Sequence, residues 1–99
     1  MILEGRWDVT IKTPIGALAV EYRFEPGPAG LVGTATYKGD PVPLTDLRID
    51  GSRATWSQSI TKPMRLNLDF DVTVDGEQMQ GHSKAGRLPR SAVSGTRRG

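Results

Sequence analysis

From Met64 to Val74 apolar and polar residues alternate without a break, with Met64, Leu66, Leu68, Phe70, Val72 and Val74 on one parity and Arg65, Asn67, Asp69, Asp71 and Thr73 on the other, before Asp75-Gly76. A period of two sustained over eleven residues puts one face of a strand in a core and the other in water. An antiparallel β protein follows, because only such sheets combine one wet face with one buried face along a whole strand. The parity of this strand also sets the register from which its neighbours can be read.

Turn-forming groups punctuate the chain at intervals of about a dozen residues. They are Thr13-Pro14-Ile15-Gly16, Pro26-Gly27-Pro28-Ala29-Gly30, Gly39-Asp40-Pro41, Asp50-Gly51, Thr61-Lys62-Pro63, Asp75-Gly76 and Ala85-Gly86. Between them lie eight strand candidates, at 4–12, 16–25, 31–38, 42–49, 53–60, 64–74, 77–84 and 88–98. Pro or Gly recurs at nearly every boundary, which leaves no window long enough for a stable amphipathic helix, although one turn of helix around Pro43 to Asp46 is compatible with the pattern. An open sheet of such strands would expose two edges and an apolar face. With short links throughout, the sequence predicts a single domain over residues 1–99, an eight-stranded antiparallel up-and-down β-barrel.

The chain has 99 residues and no cysteine, so packing alone must hold one small core, and disulfides, thiolate chemistry and sulfur-ligated metals are excluded. The segment Met1 to Arg6 has neither a long apolar run nor a small-residue cleavage pattern, and no stretch approaches the length of a bilayer span. The expectation is a soluble, cytoplasmic protein with no membrane partner and no cofactor. The net charge of +2 hides an asymmetry: residues 1–83 hold eight basic and eleven acidic side chains, residues 84–99 five basic and none acidic. Lys84, Arg87, Arg90, Arg97 and Arg98 could attract phosphate or nucleic acid, but no aromatic residue follows Phe70 to stack on bases, so this stretch is read as a solvated strand and terminus.

Carrying the parity across the turns gives the inward residues. They are Trp7, Val9 and Ile11; Leu18, Val20, Tyr22 and Phe24; Ala54, Trp56, Gln58 and Ile60; and Met79, Gly81 and Ser83. The third strand offers either Leu31, Gly33, Ala35 and Tyr37 or the set Val32, Thr34, Thr36 and Lys38, and the first choice places a large ring near the strand end behind small residues. Trp7, Tyr22, Tyr37, Trp56, Gln58 and Met79 then face the lumen as candidate ligand-binding residues, the rings supplying contact area and the hydroxyl, indole and amide groups orientation. The same rings could instead fill the barrel. Gln58 is the sharper clue, since a buried amide needs a hydrogen-bond partner.

Signals for chemistry are sparse. His82, the single histidine, adjoins Ser83, but neighbours on a strand point to opposite faces, and His82 takes the solvent side. Asp69 and Asp71 read as part of a solvated face with Arg65 and Asn67 beside them, and Gly27-Pro28-Ala29-Gly30 lacks the Lys-Ser/Thr pair of a phosphate loop. If the second strand took the opposite parity, with Ala17 and Ala19 inward, Glu21 would become a buried acid and a candidate base.

Gly5-Arg6-Trp7 at the first strand, Gly30-Leu31-Val32-Gly33 in the third, Gly76 to Gly81 around the seventh and Gly95-Thr96-Arg97 at the end resemble a small lipocalin-like or calycin-like barrel. That resemblance implies a plug in which Arg97 packs over Trp7 at one end of the barrel. The leading functional expectation is a non-enzymatic barrel that binds a hydrophobic or amphipathic small molecule. The alternatives are a cyclase, isomerase or lyase using Tyr22, Tyr37 or Glu21 to move a proton, and an interaction module with a basic last strand. Self-association is compatible with a barrel this small, and no sequence feature sets its number.

Overall fold

Alternate burial runs along the strands of the computed structural model, which describes residues 3–13, 16–60, 66–86 and 88–98, the side chains of Ile60 and Leu66 apart. The turns expected at Thr13-Pro14-Ile15-Gly16 and Thr61-Lys62-Pro63 fall wholly or partly outside the described residues, as do Met64, Arg65, Arg87 and the inward side chain of Ile60. The strands are β1 (Gly5–Thr13), β2 (Gly16–Gly27), β3 (Gly30–Tyr37), β4 (Asp40–Pro43), β5 (Thr45–Asp50), β6 (Arg53–Ile60), β7 (Leu66–Asp75), β8 (Gln78–Lys84) and β9 (Ser91–Arg98). They form one antiparallel sheet in the order β4-β3-β2-β1-β9-β8-β7-β6-β5, a nearly closed up-and-down barrel with no helix among the described residues.

The strand expected at 42–49 is broken in two, and the break closes the barrel. Pro41 and Pro43 have no N–H to give a ladder, so β4 pairs only with β3, from Tyr37↔Asp40 to Thr34↔Pro43. The Leu44 N–H then donates to Gly33 O at 2.9 Å, and from Thr45↔Ser57 onward the chain pairs with β6 instead. Asp46 takes a positive φ of 53°, and the register slips between Thr45 and Arg48, a bulge where a helical turn was compatible with the sequence. One bent stretch of chain thus belongs to both edges of the sheet, and covalent continuity joins them where a ladder otherwise would.

The expected parities of β2 and β3 hold. Val20, Tyr22 and Phe24 are buried, as are Gly33 and Ala35, while Val32 is 48% exposed. Glu21 accordingly lies on the outer face, 3.6 Å from Arg98, and the alternative that made it a buried base fails. Consecutive hairpins also define two ends. Gly5, Arg98 and the links after β2, β5 and β7 lie at one, called here the base. The C-terminal ends of β1, β3, β6 and β8 lie at the other, the mouth.

Candidate functional site

Trp7 and the end of β9 seal the base. Register sets Trp7 opposite Arg97, whose guanidinium lies 4.5 Å from the indole centroid, so cation and ring share one contact. The Trp7 indole donates to Leu3 O at 2.9 Å, and Arg97 donates to Glu4 O and approaches Glu77 Oε2 at 3.5 Å. This is the plug that the resemblance implies, and it occupies Trp7 fully. Met79, opposite Gly95 and Val74, lies on the same half of the barrel.

Above the plug a layer of rings crosses the lumen. Trp56 stacks on Phe70 at 5.2 Å and tilts against Tyr22 and Phe24 at 5.5 and 5.6 Å, while Tyr22 meets Phe24 and Phe70 at 6.0 and 6.1 Å. Such ring pairs contribute about 0.5–1.5 kcal/mol each beyond area burial. Phe24 and Phe70, inward by parity and outside the expected ligand set, are members of the layer.

Gln58 sits on the mouth side of this layer, two residues from the end of β6. Its Oε1 accepts from the Tyr22 hydroxyl at 2.6 Å and from the Trp56 indole N–H at 3.1 Å. Indole nitrogen can only donate, so the amide oxygen must face the rings and the amide nitrogen must turn away from them. Among the described residues no acceptor bonds that nitrogen, and Gln58 keeps 6% of its surface accessible. Burial pushes the pKa of Tyr22 well above the usual tyrosine range, which makes its hydroxyl a fixed donor and a poor base at neutral pH. Ser83 is the other buried polar side chain among the described residues, and the other inward residues described in this half are Ile11, Val20, Ala35, Leu68 and Val93, with Leu18 and Tyr37 half-buried at the rim. The Tyr37 ring lies under the Lys38 ammonium at 5.4 Å.

The structure therefore joins Tyr22, Trp56 and Gln58 directly, sets Tyr37 at the mouth, and puts Trp7 and Met79 toward the base. No charged side chain is among the buried residues described.

The outer face is mostly occupied by its own pairings. Asp71 accepts from Arg53 at 2.6 and 2.9 Å, and that guanidinium holds its carboxyl below the usual range; Asp69 accepts from Ser57 at 2.7 Å. Arg98 donates to Asp8 at 2.7 and 3.2 Å. His82 and Ser83 face opposite sides, as expected. His82 borders a shallow depression of about 550 Å³ that Lys12, Thr73, Gln80, Gly81, Ala92 and Ser94 also line. No group of three or more His, Asp or Glu side chains among the described residues could hold a metal ion.

No protein-family model matches this chain, and no curated protein matches it significantly. Among solved structures it is similar to a redesigned β-barrel, with a TM-score of 0.74 and 16% identity, over 99% of this chain and 93% of the other. It is also similar to a second redesigned barrel, mFAP1, solved bound to DFHBI, with a TM-score of 0.66 and 17% identity over 98% and 95% of the two chains. At such identities the likeness is one of fold.

Proposed function

We propose that this barrel binds a hydrophobic or amphipathic small molecule through its mouth, seated on the Tyr22–Trp56–Phe70 layer and oriented by Gln58. The observation that carries this reading is the Gln58 amide, whose oxygen is fixed by two donors from the rings and whose nitrogen is left to meet an acceptor outside them. A carbonyl, ether or hydroxyl oxygen of a ligand fits that position. Without a buried charge to meet it, a charged group would be costly in the lumen, so the buried part of the ligand is neutral. Of the six residues expected to bind, Tyr37 and Gln58 would touch the ligand, Tyr22 and Trp56 would hold the Gln58 amide from beneath, and Trp7 and Met79 would support the floor. The mFAP1 barrel, solved with DFHBI, supports the reading by showing that a barrel of similar fold is compatible with a small-molecule complex.

Titration with paired apolar ligands that differ only in one carbonyl, followed by tryptophan emission, tests this. The carbonyl member should bind the native protein about tenfold tighter and lose that advantage in Gln58→Leu, the loss of one hydrogen bond being worth about 1 kcal/mol or slightly more. Unchanged emission across the series would overturn the reading. An enzymatic alternative has lost Glu21 to the outer face and Tyr22 to a raised pKa.

A further inference from the structure

The two ends of the barrel differ in charge. Within two residues of a strand end at the mouth, or in its links, the described charged side chains are Lys12, Lys38, Lys84, Arg90 and Asp40, all exposed. At the base the same criterion gives Glu4, Arg6, Glu25, Arg48, Asp50, Arg53, Asp75, Glu77, Arg97 and Arg98, in which acidic and basic side chains balance. Three of the base arginines are also engaged: Arg53 with Asp71, Arg97 with Glu77, and Arg98 with Asp8. No acidic group among the described residues lies within ion-pair distance of the four basic side chains at the mouth. Lys38 is held near the opening by its position over Tyr37.

We infer that the mouth selects amphiphiles with an anionic head group, the apolar part entering the lumen and the head remaining in the field of Lys12, Lys38 and Lys84 at that end of the barrel. The inference rests on the lumenal reading above and adds the sign of the head group. A buried face without described charges forces a charged head to stay in the wet rim, and the excess of basic over acidic side chains there favours a negative one. Long lysine side chains can follow the head while their stems cover the apolar edge of the opening.

Decanoate, 1-decanol and decylammonium share a chain and differ in head group, so their binding to the 99-residue chain, read by tryptophan emission at pH 7.5, separates the cases. Decanoate should bind roughly tenfold tighter than decanol at low salt, and decylammonium weakest. The ratio of decanoate to decanol affinity should fall toward one in about 1 M NaCl, where screening is nearly complete, and in the triple variant Lys12→Gln, Lys38→Gln, Lys84→Gln, with decanol affinity retained. Equal affinity for decanoate and decanol, a preference for decylammonium, or a ratio unmoved by the triple variant would overturn the head-group inference while leaving lumenal binding intact. Failure of all three to bind would overturn both.

Discussion

Tyr22 carries the clearest pH dependence in the molecule. An unfolded tyrosine ionises near pH 10, whereas burial raises the native pKa above that, so beyond about pH 10 the unfolded chain has released a proton that the native state keeps. Stability conferred by the protonated hydroxyl is complete below about pH 10 and declines as pH rises above it. Tyrosinate absorbance from Tyr22 should therefore develop only together with unfolding, and Tyr22→Phe should remove part of the alkaline loss. At neutral pH that substitution should cost about 1 kcal/mol, the contribution of one hydrogen bond, since Gln58 Oε1 retains the Trp56 donor. A variant that unfolds in alkali as steeply as the native protein would show that another group controls the transition. At this scale the sequence was informative in one direction. Strand parity placed Gln58 inside, but its partner Tyr22 lies 36 residues away on the opposite side of the barrel, a pairing set by closure and not by any local pattern.

Among the strands, what could be read from the chain divides along the same line. The alternation in β7 and the turn residues around it place every long strand to within a few residues, because period and turn chemistry are local. The division of the fourth strand is only hinted at by Pro41 and Pro43, since which edge receives each half depends on where β3 and β6 end. Gly81 shows a second non-local constraint. It lies in β8 at an inward position, yet a Cβ there would stand 2.0 Å from Asp71 O and 2.6 Å from Val72 Cα, backbone atoms of β7 that cannot turn aside. Glycine lets β8 bend against β7 at this point. Gly95 is a fitting comparison, because its added Cβ would first meet Val9 Cγ2 at 3.0 Å, a side-chain atom with some room to give. Gly81→Ala should destabilise by about 3 kcal/mol or more in urea unfolding and Gly95→Ala by about 1 kcal/mol. Equal costs would mean that the bend in β8 is not a distinct constraint.

The whole molecule is held shut by two different devices. Between β1 and β9 the closure is a ladder running from Arg6↔Arg98 to Lys12↔Ala92, so the start of the first strand and the end of the last lie side by side at the base. Between β4 and β5 it is the chain itself, crossing at Leu44 from one sheet edge to the other. A ladder can reform after its strands separate, whereas a junction made by chain continuity disappears when that continuity is cut. Circular permutation distinguishes them. A short Gly/Ser linker can join the two termini, and new ends can then be opened either in the β5–β6 turn at Gly51-Ser52 or at Leu44-Thr45. Opening at Gly51-Ser52 leaves β5 attached to β4, so the edges remain joined and the permutant should unfold cooperatively at a denaturant midpoint near that of the native chain. Opening at Leu44-Thr45 leaves β4 on β3 and β5 on β6 with nothing between them but side-chain contact, and loses the Leu44 link to Gly33. The freed halves gain conformational entropy, and the Leu44 side chain beside Gly33 is no longer held over the lumen. That permutant should show a lower midpoint, a weaker near-UV signal from the Trp56 layer and faster hydrogen exchange in β4 and β5 than in β1 and β9. Matching midpoints in the two permutants would show that packing of the ring layer, and not the bent strand, keeps the barrel closed.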